Sequence, residues 1–253
     1  MKKELRLLIF IPTYNGSRTL PWVLDRMDKK TRDRADEILI VDNCSTDNAN
    51  LTALGYKALH GLDKLKVIRN QTNLGYGGSQ KVAYQYAIDS GFDIAVMLHG
   101  DGQYPVEKIL ELIKPIEEGD ADLVFGSRIK GDSVKVMPKW RYAGNRGLTA
   151  LENYWLGMNI SEFHSGFRAY KVGALKKVKF GLCSNNYHFD TEILIQFNNK
   201  KLRIGEIPIP THYGEESASP PISALVRYTL GIFSALGRYT LHRKGIKRLP
   251  MFE

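Results

Sequence analysis

Cysteine is scarce in this chain of 253 residues, which contains only Cys44 and Cys183. Two cysteines cannot build the disulfide framework of a small secreted domain, and no cluster of Cys and His has the spacing of a metal site. The scarcity is compatible with a reducing compartment, so we expect a cytoplasmic location.

Long apolar runs are also missing. No stretch reaches the roughly 18 apolar residues that indicate a spanning helix, so the sequence predicts none. The apolar start of the chain is interrupted by Pro12 and Asn15, too early for a signal peptide. Internal repeats and low-complexity tracts are absent as well, so we do not expect a repeat architecture.

Acidic residues are outnumbered, since 36 Lys and Arg against 27 Asp and Glu give a formal net charge of +9. The excess is local: residues 126–147 contain one acid, Asp132, and residues 222–250 contain none. A positive surface predicts anionic partners such as nucleotide phosphates, a lipid phosphate or an acidic membrane face. A solvated basic face is the alternative interpretation of either run.

Apolar runs alternate with amphipathic stretches through the first half of the chain. They predict strands at 7–11, 37–41, 65–70, 94–98 and 123–126, and helices at 18–30, 79–90 and 105–116. Strands separated by helices indicate right-handed crossovers, and hence an α/β fold with a single Rossmann-like, mostly parallel sheet. Further on, the pattern predicts helices at 141–156 and 187–198, a loop or short strand at 163–170, and a strand at 203–209.

Polar or glycine-rich loops follow the predicted strands and would open on one edge of the sheet, where α/β proteins bind ligands. Thr13 and Tyr14 follow the first strand, and a hydroxyl beside an aromatic ring suits a ribose and its base. Asp42 and Asp47 follow the second strand and can accept hydrogen bonds from the same groups. The loop at 73–78 is rich in glycine, which lets its backbone approach a ligand closely.

Asp101 and Gln103 follow the fourth predicted strand in the string HGDGQYP. Two oxygen-bearing side chains at positions i and i+2 suit a hard divalent cation that also binds a phosphorylated substrate. A solvated Asp-Gly turn is the alternative interpretation. The sequence therefore indicates transfer chemistry on a nucleotide-bound group.

The strings IPTYN, IVDNCSTD, NLGYGG, HGDGQYP, GSR and SGFRAY, in this order and spacing, resemble the inverting glycosyltransferases of family 2, which have the GT-A fold. The most similar branch is that of the dolichyl- and polyprenyl-phosphate sugar transferases, and the resemblance covers roughly residues 7–210. It implies displacement at the anomeric carbon of a UDP- or GDP-sugar by a polyprenyl-phosphate or glycan acceptor, with Mg²⁺ or Mn²⁺ as cofactor.

The resemblance also implies a donor site. Asp101 and Gln103 match the two later ligands of the family's D-x-D-x-Q metal motif. Two positions depart from the branch: His99 replaces the first Asp of that motif, and Asn43 replaces a second Asp after the second strand. His99 either turns toward the diphosphate or the metal, or packs in the core. The expected donor-binding residues are Pro12, Thr13, Tyr14, Asp42, Asn73, Gly75, Gly100, Asp101 and Arg168.

Arg128 and Arg141 match positions that hold the acceptor phosphate in this branch, and the planar fork of Arg suits phosphate oxygens. Asn145 is a further expected acceptor residue and stands where the family uses a small hydroxyl residue beside that Arg. A phosphate acceptor is already an anion and needs no base, whereas a hydroxyl acceptor needs a carboxylate to take its proton. Asp190 and Glu192 are the expected catalytic carboxylates. Capping of a helix N-terminus is the alternative role for both.

Residues 222–248 combine apolar residues at helical spacing with six cations. This composition suits a helix in an anionic membrane interface, or one that packs against the sheet or against a partner chain in a homo-oligomer. We therefore expect a catalytic domain at 1–215 and a helical tail at 216–253, with the protein cytoplasmic or peripheral on the inner face of the membrane.

Two other classes of protein compete with this prediction. A nucleotidyltransferase needs a glycine-rich, basic loop directly after the first strand, and the loop PTYNGSRT has only Arg18. An RNA-binding protein exposes aromatic residues among its cations, which Trp140 and Tyr142 permit. Both explain fewer of the motifs, and we expect no nucleic-acid partner.

Overall fold

A seven-stranded sheet forms the centre of the protein. The computed structural model describes residues 4–131, 137–211 and 222–253. Across the sheet the strand order is β3-β2-β1-β4-β6-β5-β7. In this described part of the chain the strands are β1 (Leu7–Thr13), β2 (Glu37–Asp42), β3 (Leu65–Arg69), β4 (Ile94–Met97), β5 (Leu123–Ser127), β6 (Arg168–Lys171) and β7 (Ile204–Pro208).

Six of these strands point in the same direction, and β6 runs antiparallel to its neighbours β4 and β5. Arg168, the first residue of β6, pairs with Met97 and Phe125 near the ends of β4 and β5. The start of β6 therefore lies at the same sheet edge as the carboxyl ends of the other strands. The predicted α/β class with a mostly parallel sheet is confirmed.

Helices cover both faces of the sheet, which explains why β2, β4 and β5 are buried along their whole length. The helices of the described residues are α1 (Leu20–Asp25), α2 (Lys29–Arg34), α3 (Ala49–His60), α4 (Gly75–Asp89), α5 (Ile109–Glu118), α6 (Lys139–Leu156), α7 (Val172–Leu175), α8 (Phe189–Asn199) and α9 (Ile222–Arg243). One core lies under α4, α6, α8 and α9, and the other under α1, α3 and α5.

Three parts of the fold differ from the sequence prediction. The single helix predicted at 18–30 is two helices, because Asp28 caps a new one by accepting from the Thr31 backbone N–H at 2.8 Å. Helix α3 was not predicted. The helix predicted to begin at residue 79 begins at Gly75, whose φ of +76° and close approach to the Asn185 carbonyl exclude a side chain.

Helix α9 confirms that the tail is helical, and it packs on α8 through Ile232, Ala235 and Leu236. The predicted domain boundary at residue 215 lies outside the described residues. Of the helices that the structure describes, none combines the length and apolar character that a membrane crossing requires.

Candidate active site

A cavity of about 950 Å³ opens at the sheet edge where six strands end. It is lined by loops that follow β1, β2, β3 and β4 and by residues of α6, α8 and α9. The predicted site residues in its wall are Pro12, Thr13, Tyr14, Asn73, Gly75, Gly100, Asp101, Gln103, Arg128, Arg141, Asn145 and Asp190. Asp42, Arg168 and Glu192 do not belong to the wall that the described residues form.

The loop after β1 presents Tyr14 to the cavity with 53% of its surface exposed. The loop after β2 fixes this geometry. Ser45 Oγ accepts from the Asn15 backbone N–H at 2.9 Å, and Asp47 Oδ2 accepts from that of Ser17 at 2.8 Å. Asp47 thus stabilises the first loop, and the predicted contact of Tyr14 with the nucleoside stays a prediction.

Asp42 lies behind these loops and is fully buried. Its Oδ1 accepts from the Ser45 backbone N–H at 3.1 Å, and its Oδ2 lies 3.2 Å from Nη1 of Arg69. These contacts stabilise the turn after β2. The predicted contact of Asp42 with the nucleoside stays a prediction.

Asn43 connects the loops after β2 and β3. Its Nδ2 donates to Asn73 Oδ1 at 2.8 Å, and its Oδ1 accepts from Asn70 Nδ2 at 3.0 Å and from the Leu74 backbone N–H at 2.8 Å. An ionised Asp could accept the last two bonds but could not donate the first. Asn43, which stands where the branch has an Asp, therefore makes a hydrogen bond to the side-chain oxygen of Asn73 that an ionised Asp could not make.

The loop after β4 carries Asp101 and Gln103 and is fixed from α1. Asp101 Oδ1 accepts from the Gln103 backbone N–H at 3.1 Å. The Gly100 carbonyl accepts from the Thr19 hydroxyl at 2.6 Å. Gly102 has a φ of +69° and lies against a Trp ring, so only glycine fits there.

The side-chain oxygens of this loop suit a hard divalent cation that is bound by a diphosphate at the same time. One carboxylate and one amide oxygen line the cavity at Asp101 and Gln103. Within residues 4–131, 137–211 and 222–253, no three His, Cys, Asp or Glu side chains form a metal-binding group. Mg²⁺ is commonly held by one or two carboxylates together with substrate phosphates and water, which matches this sparse set.

His99 lines the cavity between two tyrosines. Its Nε2 lies 3.4 Å from the Tyr76 hydroxyl, and its ring packs edge-on against Tyr104 with centroids 5.0 Å apart. Burial lowers the pKa of His99, although the nearby carboxylates of Asp101 and Asp190 oppose this. The ring therefore packs against Tyr104 and lines the cavity, and its contact with the diphosphate or the metal stays a prediction.

Arg128 and Asn145 also line the cavity, and both contact Glu162, a fully buried carboxylate that the sequence analysis missed. Nε of Arg128 donates to Glu162 Oε1 at 2.7 Å, the Arg128 backbone N–H donates to Oε2 at 2.8 Å, and Asn145 Nδ2 donates to Oε1 at 2.6 Å. Burial alone would raise the pKa of Glu162, but the Arg128 charge and these hydrogen bonds lower it. The ionised Glu162 thus fixes Arg128 and Asn145 in the wall.

Asp190 lies at the start of α8 and faces the cavity. It accepts from the Tyr76 hydroxyl at 2.9 Å, and Nη2 of Arg168 lies 3.6 Å from its Oδ2. Arg168 is almost fully buried and donates to the carbonyls of Ser165 at 2.7 Å and Phe163 at 2.8 Å. The structure therefore places Arg168 behind Asp190, and its contact with the diphosphate stays a prediction.

Glu192 lies two residues after Asp190 on α8, but it does not line the cavity. It is fully buried, and Arg238 of α9 and the Ser184 backbone N–H both donate to its carboxylate. These contacts hold α9 and the loop before α8 together. Its catalytic role stays a prediction that the observed contacts do not support.

Helix α9 contributes Ala224, Leu225, Tyr228 and Thr229 to the wall of the cavity. The tail therefore contributes to the site as well as to the core. The helical spacing of its apolar residues suited either a membrane interface or packing against the sheet or a partner chain. The sequence did not indicate that α9 would line the site, because α9 contains none of the recognised motifs and is distant from them along the chain.

Polar loops at the carboxyl edge of the mostly parallel sheet and the basic residues Arg128 and Arg141 thus line one cavity. Residues 8–179 match the sequence profile of Glycosyl transferase family 2. The chain belongs to this family and is a glycosyltransferase. The match favours the predicted activity over the nucleotidyltransferase and RNA-binding alternatives.

Three relatives carry names of the predicted branch. The UDP-N-acetylglucosamine–dolichyl-phosphate N-acetylglucosaminyltransferase of Methanococcus voltae is 30% identical over 241 residues, covering 88% of this chain and 92% of the relative. The polyprenol monophosphomannose synthase of Mycolicibacterium smegmatis is 27% identical over 206 residues, which are 81% and 76% of the two chains. The undecaprenyl-phosphate mannosyltransferase of Micrococcus luteus is 28% identical over 213 residues, which are 81% and 83%.

A solved structure confirms the GT-A fold. Glucosyl-3-phosphoglycerate synthase from Mycobacterium tuberculosis, in complex with Mn²⁺, uridine diphosphate and phosphoglyceric acid, superimposes with a TM-score of 0.70. The match covers 93% of this chain and 78% of that one, at 17% sequence identity.

Proposed function

We propose that this glycosyltransferase moves a sugar from a UDP- or GDP-sugar to a polyprenyl phosphate, with inversion at the anomeric carbon and with Mg²⁺ or Mn²⁺. The observation that carries the proposal is that Asp101 and Gln103, on one side, and Arg128 and Arg141, on the other, line one cavity. The names of the three relatives support a polyprenyl-phosphate acceptor, and the UDP donor of the Methanococcus enzyme supports a uridine nucleotide.

The donor half of the cavity binds and orients the nucleotide sugar. The Tyr14 ring stacks on the base, and the loop at Asn73 and Gly75 approaches the nucleoside with its backbone. Asp101 and Gln103 would hold the cation, which as a Lewis acid supplies charge neutralisation for the departing diphosphate.

The acceptor half neutralises the incoming phosphate. Arg128 is held in place by Glu162, which also accepts from Asn145, and Arg128 lines the cavity. A phosphate oxygen is already an anion, and it therefore attacks the anomeric carbon without a general base. Attack from the side opposite the diphosphate inverts that carbon.

A glycan hydroxyl is the second candidate acceptor, and the position of Asp190 favours it. A hydroxyl nucleophile needs a base, and Asp190 is a carboxylate in the cavity wall with Arg168 behind it. The chemistry distinguishes the two candidates. Replacing Asp190 with Asn abolishes transfer to a hydroxyl, whereas transfer to a phosphate persists at a reduced rate.

We propose further that α9 rests on the anionic inner face of a membrane, where a polyprenyl phosphate resides. Val226, Leu230 and Phe233 lie on one side of this helix and are 53%, 62% and 45% exposed. Arg227 and Lys244 lie on the same helix or directly after it. Exposed apolar side chains flanked by cations are typical of interfacial helices.

The test is product formation. The purified protein is incubated with each of a panel of UDP- and GDP-sugars, with Mn²⁺ or Mg²⁺, and with a polyprenyl phosphate, and the lipid is analysed by mass spectrometry. We expect a glycosyl phosphate lipid from one class of nucleotide and none after chelation of the metal. Transfer to a glycan hydroxyl with no transfer to any polyprenyl phosphate would overturn the proposed acceptor.

A further inference from the structure

Two side-chain amides in the cavity wall, those of Asn43 and Asn73, are each fixed in one orientation by a backbone N–H. The Leu74 backbone N–H donates to Oδ1 of Asn43 at 2.8 Å, which leaves Nδ2 of Asn43 to donate to Oδ1 of Asn73 at 2.8 Å. The Gly75 backbone N–H donates to the same Asn73 oxygen at 2.9 Å. Because a backbone N–H can only donate, neither amide can turn over without losing a hydrogen bond.

Asn73 therefore presents hydrogen-bond donors and no acceptor to a ligand. Its Oδ1 has two lone pairs, and the bonds from Asn43 and Gly75 use both. Its Nδ2 carries two hydrogens, for which the described residues provide no acceptor. Asn73 is exposed and lines the cavity, so an oxygen of a bound ligand can accept these hydrogens. An Asn whose oxygen is free can also accept from an amino group, but Asn73 cannot.

The strand order places Asn73 far from the loop that we propose holds the diphosphate. Asn73 follows β3 and contacts Asn43 after β2, whereas Asp101 and Gln103 follow β4. Neighbouring strands are about 4.8 Å apart, so two to three strand spacings, roughly 10–14 Å, separate the two places. This is about the length of an extended nucleoside diphosphate. With the diphosphate at Asp101 and Gln103, the base reaches Asn73.

We propose that Asn73 recognises the nucleobase by donating to a carbonyl oxygen on its edge, and that Asn43 is the positioning residue that holds this donor in place. Uracil and guanine carry such an oxygen, whereas cytosine and adenine carry an amino group at the corresponding position. An amino group would bring its hydrogens against those of Asn73. The site therefore selects a UDP- or GDP-sugar over the CDP- or ADP-sugar with the same ring system. The inference rests on the proposed function, because it requires a nucleotide donor.

The experiment measures the affinity of the full chain for UDP, CDP, GDP and ADP, each with Mn²⁺, by isothermal titration calorimetry. No acceptor is present, so the result does not depend on turnover. Two ratios are compared: the Kd of CDP over that of UDP, and the Kd of ADP over that of GDP. For the wild type we expect a ratio of about ten or more in the pair that contains the natural base, the effect of one hydrogen bond gained and one repulsion avoided. The pair that binds more tightly identifies that base.

Asn73→Asp tests the donor, because it replaces the amino group with an oxygen of similar size. One oxygen of the carboxylate can still accept from Asn43 and Gly75, so the loop keeps its hydrogen bonds. The other oxygen can accept from the amino group of cytosine or adenine, as carboxylates do at base edges. We expect the preference to reverse, so that the base with the amino group binds at least about threefold more tightly than the base with the carbonyl.

Gln71→Glu is the matched control. Gln71 is an exposed residue of the same loop, and it does not belong to the cavity wall that the described residues form. The change adds the same negative charge near the site but leaves the hydrogen-bonding groups of that wall unaltered. We expect both Kd values of a pair to change together, and their ratio to stay within about twofold of the wild type, because solvent and salt screen an exposed charge.

Asn43→Asp tests the positioning role. A carboxylate accepts from Leu74 as before but cannot donate to Asn73, whose amide then turns over and donates to it. Oδ1 of Asn73 then faces the ligand, and we expect the ratio of Kd values to fall at least about fivefold. A merely structural role of Asn43 would lower the melting temperature without changing this ratio.

Four results would overturn the inference. They are a wild type that binds both members of each pair within about twofold, an Asn73→Asp variant that keeps the wild-type preference, a Gln71→Glu variant that loses it, and an unchanged ratio in Asn43→Asp. The wild-type comparison needs no variant and therefore decides the question even where a variant fails to fold. A wild type that binds none of the four nucleotides would instead overturn the proposed donor, and absence of a lipid product would overturn the proposed acceptor, so these failures are distinct.

Discussion

Two fully buried carboxylates, Glu152 and Glu162, have pKa values that are shifted in opposite directions. Glu162 accepts from Arg128 and Asn145, and these contacts lower its pKa in spite of burial. Glu152 has the neutral ring of His164 as its neighbour, and burial raises its pKa to about 8. A guanidinium at hydrogen-bond distance therefore decides which of the two carries charge.

Glu162→Ala is expected to destabilise the protein strongly, because it leaves Arg128 buried without its carboxylate. Removing one partner of a buried ion pair costs about 3–5 kcal/mol. We expect the free energy of unfolding to fall by about 3 kcal/mol in urea titrations followed by circular dichroism. The control is Glu107→Ala, since Glu107 pairs with Arg26 and its side chain is 54% exposed, and a change below about 1 kcal/mol is expected there. Equal losses in the two variants would contradict the prediction.

The sequence predicted Arg128 and Asn145 as site residues but not the carboxylate between them. The two residues belong to strings that resemble family motifs, whereas Glu162 lies in an irregular segment with no periodicity. Its contact depends on the path of the chain between α6 and β6, which local sequence does not specify. His164 and Tyr228 were missed for the same reason, since they meet only after α9 has packed.

The helices were predictable where they bury a continuous stripe or begin with a clear cap. Helix α5 buries Ile109, Leu112, Ile113 and Ile116 at helical spacing, and its prediction is confirmed. Helix α3 buries only Ala49, Ala53 and Tyr56 and exposes its leucines, so its apolar pattern is weak and it was missed.

Helix α9 has apolar side chains on two opposite sides. Ile232 and Leu236 are fully buried against the core, while Leu230 and Phe233 are exposed. The sequence showed helical spacing but could not separate the two sides, because both carry the same type of residue. Only the packing on α8 shows which side remains available to a membrane.

Replacing the exposed side chains tests that availability. Leu230→Ser with Phe233→Ser should lower the partition of the protein onto anionic vesicles at least about tenfold, since burying one such side chain contributes about 1.5–3 kcal/mol. The melting temperature of the double variant should equal that of the wild type, because Leu230 and Phe233 are 62% and 45% exposed. Vesicle sedimentation measures the effect. Leu59→Ser is the control, since Leu59 is 82% exposed on α3, which packs on the opposite face of the sheet. The proposal fails if this control loses binding as much as the double variant does.

At the scale of the whole molecule, the site depends on topology. Loops that are distant in sequence meet because six strands end at one edge, and the antiparallel β6 brings Arg168 to that same edge. The alternation of strands and helices predicted this edge, and the loops that follow β1 to β4 meet there. It could not predict the reversed direction of β6, because a short strand of four residues carries no signal of its orientation.

The loops that we propose bind the donor follow β1 to β4 of the central sheet. Donor binding should therefore stabilise the entire molecule. A nucleotide sugar at about 100 times its Kd adds about 2.7 kcal/mol to the free energy of unfolding, which corresponds to roughly 5–10 °C in melting temperature for a protein of this size. Asp101→Ala should remove the part of this shift that depends on Mn²⁺, because it removes the only carboxylate of the predicted metal pair. Differential scanning fluorimetry with and without Mn²⁺ measures both quantities. The control is Asp63→Ala, because Asp63 is an exposed carboxylate in the turn after α3, and its melting temperature should shift as that of the wild type does. If the metal-dependent shift survives in Asp101→Ala, the cation binds elsewhere and the assignment of Asp101 and Gln103 is wrong.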